Sequence, residues 1–379
     1  MTQPKKLCFL SGTRADYGKI KRIMQFVEAD SNFELYIFVT GMHMHKEYGH
    51  TYNEIIKDEY SNIFLYINQH SVKTSAMDIS LASTIEGFSA YINEIQPDMI
   101  IVHGDRIEAL AAAIVGAMNN ILVGHIEGGE LSGTIDESIR HAVSKLAHVH
   151  FVSNEASKKR IMQLGEDEHR IFIIGSPDID IMLRSDLPTL NETKDRYGIN
   201  FNRFAIALFH PVTTSFKNMR KYAKVFVESL ILSGENYIVI HPNNDMGRDF
   251  IIEQYERLKD DIHFKIFTSV RFEHFLTILK NARFIIGNSS AGIREASIYG
   301  VPTIDIGDRQ KNRYEQNEGL AHCEYDIESI LALINEFHDK KCSVTSLFGD
   351  GDSAEKFIGI ISDDIFWDMP LQKVFIDKE

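Results

Sequence analysis

The first half of the chain alternates short apolar runs with amphipathic stretches. Leu7–Leu10, Leu35–Val39, Asn62–Ile67, Met99–Val102, Leu122–Ile126, Val149–Val152 and Ile171–Ile174 predict buried strands. Between the third and fourth runs, Leu81, Ile85, Phe88, Ile92 and Ile95 recur at helical spacing, and Pro97 stops the helix they predict. Alanines at 109, 111, 112 and 113 suit a helix packed closely on a sheet. Residues 177–203 are polar and predict one short helix. A second alternation follows, with strands at Ala205–Phe209, Tyr237–Ile240, Phe264–Phe267, Phe284–Ile286 and Pro302–Ile306 and a helix over 272–280. A last segment, Ala354–Ile361, has a pattern that allows it to pack back on the first half. Such alternation predicts parallel sheets covered by helices on both faces. The expected architecture is α/β: two doubly wound, Rossmann-like domains, 1–176 and 177–379.

Ligands of such sheets bind outside the carboxyl ends of the strands, and the unusual polar residues stand there. The first strand runs into Ser11-Gly12-Thr13-Arg14-Ala15-Asp16. A glycine turn feeding a helix start points N–H groups at an anion, and Arg14 offers a two-pronged donor. The fourth strand ends in His103-Gly104-Asp105-Arg106 and the fifth in His125-Ile126-Glu127-Gly128-Gly129-Glu130, with Asp136-Glu137 opening the next helix. Singly, Asp105 reads as a helix cap, and Asp136 and Glu137 as acidic complements of a helix start. Together, carboxylates at neighbouring strand ends, with glycines leaving room for a ligand, make a candidate site. In the second half, Gly287-Asn288-Ser289-Ser290-Ala291-Gly292-Ile293-Arg294-Glu295 reads two ways. It is a small-residue turn suited to a diphosphate, with Glu295 accepting ribose hydroxyls, or a capped helix with a surface glutamate. His43 and His45 lack partners at metal-ligand spacing and read as structural or solvated.

Composition narrows the function. With 379 residues and 44% hydrophobic content the chain has ample core for two domains. A formal charge of −14 argues against nucleic-acid binding and requires any phosphate ligand to meet a local basic patch. No run approaches the roughly 18–20 apolar residues that span a bilayer. Three widely spaced cysteines fit neither a disulfide framework nor a zinc site, and predict a reducing cytoplasm. GxGxxG, the P-loop and HExxH are absent.

Further runs complete a pattern: Thr40-Gly41-Met42-His43, Ser132-Gly133-Thr134-Ile135-Asp136-Glu137-Ser138-Ile139-Arg140-His141, Phe209-His210-Pro211-Val212-Thr213-Thr214, His241-Pro242-Asn243-Asn244-Asp245 and Arg309-Gln310. In this order and combination the runs resemble the UDP-N-acetylglucosamine 2-epimerase family, and within it the hydrolysing bacterial branch of sialic acid synthesis. The resemblance covers nearly the whole chain. It implies a GT-B-like fold with the active site in an interdomain cleft, a nucleotide-sugar substrate, no cofactor or metal, and a homodimer. It also implies that Asp105, Glu127 and Asp136 are essential carboxylates and that His210 acts near the diphosphate. Arg14, Asn243, Ser289, Ser290 and Glu295 match UDP-binding positions, and Asp16, His43, Arg106 and Arg309 are placed among the substrate contacts. The chain departs from relatives at Gly18, where some carry serine, and at Glu137, where an aspartate is usual.

The implied reaction converts UDP-N-acetylglucosamine and water to N-acetylmannosamine and UDP. The sugar C2–H is not adjacent to a carbonyl, so its removal needs departure of UDP from C1. One carboxylate then takes the C2 proton to give a glycal, and a proton returns on the opposite face while water adds at C1. Asp105 and Glu127 are the expected proton-transfer pair, with Asp136 orienting. The motifs leave alternatives open: a hydrolysing epimerase for UDP- or GDP-linked N,N′-diacetylbacillosamine, a non-hydrolysing epimerase, a GT-B glycosyltransferase, and a non-catalytic UDP-sugar sensor.

Overall fold

A computed structural model describes residues 3–68, 77–132, 135–243, 245–310, 318–344 and 348–377. The chain forms two compact units, one comprising Met1–Glu130, Ile135–Leu183 and Leu347–Glu379, the other Leu131–Thr134 and Arg184–Ser346. The first therefore runs past the limit expected at residue 176 and regains the chain at its C-terminal end.

Seven parallel strands build the first unit: β1 (Lys5–Ser11), β2 (Phe33–Val39), β3 (Ile63–Leu65), β4 (Met99–His103), β5 (Leu122–Ile126), β6 (Val149–Val152) and β7 (Ile171–Ile173). They lie in the order β3-β2-β1-β4-β5-β6-β7. Both faces are covered, so alternate residues of β1 enter different cores, Leu7 and Phe9 one, Cys8 and Leu10 the other. The order reverses between β1 and β4, which pair through Phe9 and Ile101. Helices leave these two strand ends in opposite senses, and this is where an open sheet leaves room for a ligand.

The C-terminal segment completes one of these cores. Ala354, Phe357 and Ile361 of the helix Ser353–Ile361 are fully buried with Phe9 and Phe151. The ring centres of Phe357 and Phe151 stand 4.7 Å apart. This helix is tied down by buried Asp180, whose carboxylate accepts from Ser353 N–H at 2.9 Å and Ala354 N–H at 2.7 Å. Asp180 itself lies on the helix Pro177–Met182. The polar stretch 177–203 thus holds two helices rather than the single one expected, the other being Leu190–Tyr197. The acidic residues of the first hid a buried element.

The second unit holds six parallel strands: β8 (Ala205–Leu208), β9 (Tyr237–Ile240), β10 (Phe264–Phe267), β11 (Ile285–Gly287), β12 (Thr303–Ile306) and β13 (Leu320–Cys323). Their order is β10-β9-β8-β11-β12-β13, and the reversal falls between β8 and β11. Gly287 is obligatory there. Its φ is +141°, and a Cβ would stand 2.1 Å from the Leu208 carbonyl oxygen. β13, an edge strand reading Leu-Ala-His-Cys, is too short and mixed to be seen in the sequence.

His125, His148 and His43 are buried in the first unit as neutral rings. His125 Nε2 donates to the Gly104 carbonyl at 2.8 Å, so its Nδ1 accepts from Ser144 at 3.0 Å. His148 Nδ1 accepts from Val123 N–H at 3.0 Å. Ser11 donates to Asp16, so His43 Nε2 must donate to the Ser11 oxygen at 3.0 Å, leaving Nδ1 to accept from Thr51 at 2.8 Å. Burial pushes His43 and His148 down to about 4 and His125 to about 3.

Two outcomes follow for stability. Asp180→Ala leaves two buried N–H donors without their acceptor and is expected to cost roughly 2 kcal/mol in urea unfolding. The second concerns pH. The unfolded chain protonates these histidines near 6.5 while the folded chain refuses the proton, so their contribution to stability is full above 6.5 and falls as pH drops toward 4. Urea midpoints at pH 7.5, 6 and 5 should decline in that order, and a flat series would contradict the assignment.

Candidate active site

The carboxyl end of β1 is organised around Asp16. Thr13 caps the helix Arg14–Ala29, its hydroxyl accepting from Asp16 N–H at 3.1 Å. The Asp16 side chain turns back to accept from Ser11 Oγ and Gly12 N–H, each at 3.0 Å. Its other oxygen lies 2.9 Å from His103 Nδ1 at the end of β4. The far nitrogen of that ring forms an ion pair with Glu127 Oε2 at 3.1 Å. Burial alone would lower the His103 pKa, but the Glu127 and Asp16 carboxylates outweigh it and push it up to about 9.

Glu127, only 3% exposed, follows β5 in a left-handed conformation with φ +61°. A non-glycine residue held there stores of order 1 kcal/mol of strain, which the surrounding bonds must offset. Ser176 donates to Oε1, and Arg140 Nη1 donates to its carbonyl at 2.6 Å. The second arm of Arg140 holds Asp105. One guanidinium thereby joins the ends of β4 and β5. Asp105 keeps 24% of its side chain exposed and is the more accessible acid.

The glycines beside Glu127 do a different job from the one expected. A Cβ on Gly128 would stand 2.8 Å from His125 Nδ1, and one on Gly129 2.3 Å from the Ser157 carbonyl oxygen. They make room for the protein's own atoms and seat the turn on the helix Glu155–Gln163. Gly104, by contrast, has nothing within 4 Å.

The remaining residues expected in this unit are placed unevenly. Arg14 closes its fork on Glu54, so it is not offered whole to an anion. His43 is 0% exposed and both its nitrogens are engaged, so its expected contact with substrate gives way to a support beneath Ser11. Arg106 pairs through Nε at 3.1 Å with Glu108, a buried carboxylate under Gly12 and Gly41. Asp136 and Glu137 are half-buried in the first turn of the helix Ile135–Leu146, where Glu137 lies 3.0 Å from His141 Nε2. Gly133 and Thr134 of that run lie outside the described residues. His103, Ser176 and Arg140 join the site without having been singled out: His103 and Arg140 stand inside quoted runs, whereas nothing in the sequence marks Ser176.

In the second unit the polar groups also gather at the reversal. Asn288, buried at the end of β11, accepts from His210 N–H at 2.7 Å and donates to the His210 carbonyl at 2.9 Å. Asn243 N–H donates to His210 Nδ1 at 3.1 Å. Nδ1 is therefore an acceptor, and the proton of the neutral ring sits on Nε2 as a donor. Burial, then the Arg309 charge, holds the His210 pKa well below its ordinary value. Arg309 Nη1 and Gln310 Nε2 both donate to the Asn288 carbonyl, at 3.1 and 2.8 Å. Asn243 Oδ1 is buried without a hydrogen-bond partner among the described residues. Ser289 caps the short helix Ser290–Ile293, accepting from Ala291 N–H at 3.3 Å. Glu295 is buried, not a surface residue. Asn244 lies outside the described residues.

Among the described residues no group of three or more His, Cys, Asp or Glu is placed to hold a metal, and no helix is long and apolar enough to cross a membrane. Residues 25–362 match the family described as UDP-N-acetylglucosamine 2-epimerase. The chain is 45% identical over 377 residues to a UDP-N-acetylglucosamine 2-epimerase of Neisseria meningitidis serogroup B, covering 98% of this chain and 99% of the relative. It is 32% identical to the hydrolysing UDP-N,N′-diacetylbacillosamine 2-epimerase of Legionella pneumophila, over 93% of this chain and 94% of that one. Its fold matches the UDP-GlcNAc 2-epimerase of Methanocaldococcus jannaschii solved with UDP-GlcNAc and UDP, at TM-score 0.80 and 21% identity, covering 94% and 99% of the two chains. Two doubly wound parallel sheets, polar clusters at both reversals and a family match over most of the sequence agree: this chain belongs to the UDP-N-acetylglucosamine 2-epimerase family.

Proposed function

We propose that the protein is a hydrolysing 2-epimerase that converts UDP-N-acetylglucosamine and water to N-acetylmannosamine and UDP. The observation that carries this reading is the Arg140 fork, which brings Asp105 and Glu127 together at adjoining strand ends. Inversion at C2 needs a proton removed from one face and delivered to the other. One acid cannot serve both faces of a fixed ring, and two differently buried carboxylates fit the demand.

The steps follow the chemistry. As the C1–O bond to UDP breaks, positive character at C1 acidifies C2–H, and one carboxylate takes that proton to leave a 2-acetamidoglucal. The other delivers a proton to C2 from the opposite face, the oxygen of water bonds to C1 and gives its proton to that emptied carboxylate, and the first carboxylate returns the proton it took to solvent. Asp105, the more accessible, and Glu127 are the transfer pair, with Asp136 orienting the sugar. The second unit holds UDP. His210 Nε2–H donates to the diphosphate as a neutral group, Arg309 adds positive charge, and Ser289, Ser290, Asn243 and Glu295 contact the nucleotide. The free cysteines fit a reducing compartment, and a homodimer is part of the reading.

Purified protein with UDP-N-acetylglucosamine in heavy-oxygen water is expected to release N-acetylmannosamine carrying label at C1, read by NMR and mass spectrometry. Intact UDP-N-acetylmannosamine as final product would replace hydrolysis with simple epimerisation. Faster turnover of UDP-N,N′-diacetylbacillosamine would move the substrate toward that of the Legionella relative. Asp105→Asn is expected to lower kcat by about 1,000-fold while UDP affinity, measured by calorimetry, stays within about threefold.

A further inference from the structure

His103 occupies the space between two carboxylates from different elements, with one ring nitrogen on each. Asp16 comes from the helix Arg14–Ala29 and Glu127 from the turn after β5. We propose that His103 is a positioning residue: wedged between Asp16 and Glu127, it fixes the direction and the charge of the Glu127 carboxylate during epimerisation. This rests on the reading of Glu127 as a proton-transfer group.

The geometry supplies both parts. Asp16 is immobilised by Ser11 Oγ and Gly12 N–H on its second oxygen, so it sets the position of the ring, whose Nε2 stands 3.1 Å from Glu127 Oε2. Ser176 holds the opposite oxygen of Glu127, leaving that side chain little freedom to rotate. A carboxylate buried to this depth with no adjacent cation favours its neutral form and is no base. The His103 ring at 3.1 Å supplies that cation. Asp16 adds something that a simple histidine–carboxylate pair lacks. Its carboxylate stays on the far side of the ring throughout the cycle, so the imidazole keeps its orientation when Glu127 takes up a proton. Arg140 bonds the Glu127 carbonyl and Asp105, and His125 is neutral and bonded to the Gly104 carbonyl and Ser144.

The test combines two independent measurements. His103→Gln keeps a side-chain amide donor but no charge. It is expected to lower kcat about 100-fold with KM within about threefold. Its acid limb in the pH profile of kcat should move upward by about one unit or more, because Glu127 loses the neighbour that keeps it ionised. A loss of activity with an unshifted limb, or no loss, overturns the proposal. Second, in protein labelled with 13C-histidine, the ring resonance missing from His103→Gln should remain protonated at pH 7.5 in the wild-type protein. It should become neutral there in Glu127→Gln. A neutral His103 in the wild-type protein, or one indifferent to Glu127→Gln, overturns the proposal. If the wild-type enzyme itself does not turn over UDP-N-acetylglucosamine, the activity reading fails instead. The NMR result then decides by itself whether the clamp exists.

Discussion

Charge buried at strand ends is the constraint on which the first unit depends. Asp16, Asp105 and Glu127 crowd the carboxyl ends of β1, β4 and β5, in a chain whose formal charge is already −14. Desolvated carboxylates at such spacing would protonate or push apart unless cations stand between them. His103 and Arg140 do so, each bridging two elements. The same contacts that make the anions tolerable also set their directions, so electrostatic compensation and positioning of the candidate acids are one arrangement.

The second unit solves a different problem with the same topology. Around His210 its reversal collects neutral donors and the Arg309 guanidinium. Asn243 N–H sets the His210 tautomer that presents Nε2–H, and Asn288 fixes the His210 backbone. Burial beside Arg309 keeps it uncharged. A group of that kind recognises an anion by direction, without the desolvation cost of a second buried charge. The obligatory Gly287 permits this by letting β11 run close against Leu208 of β8.

Several residues that look like ligand contacts in a sequence serve the frame. Gly128 and Gly129 are small because His125 and Ser157 occupy the space beside them. His43 braces Ser11 from below, and Arg14 is engaged by Glu54. In each case the residue type suits both a ligand and an internal partner, and only proximity tells them apart. Asp178 and Asp180 err in the other direction. Their charge reads as a solvated linker, yet both are buried and Asp180 anchors a helix that follows far along the chain.

Hydrophobic periodicity by itself determined the alternation of strands and helices, the two parallel sheets and the location of polar runs after strands, because those depend on local spacing and on rules common to such sheets. The polar motifs carried the family likeness, since the runs around Asp105, Glu127, His210 and Ser289 are contiguous in the chain. Tertiary structure alone decided that β1 and β4 adjoin, that Arg140 spans Asp105 and Glu127, and that Ser176 meets Glu127. It alone returned Ser353–Ile361 to the first core. Those contacts join residues far apart in the chain, and no local pattern specifies them. They exist because buried donors and acceptors must be matched wherever folding brings them together.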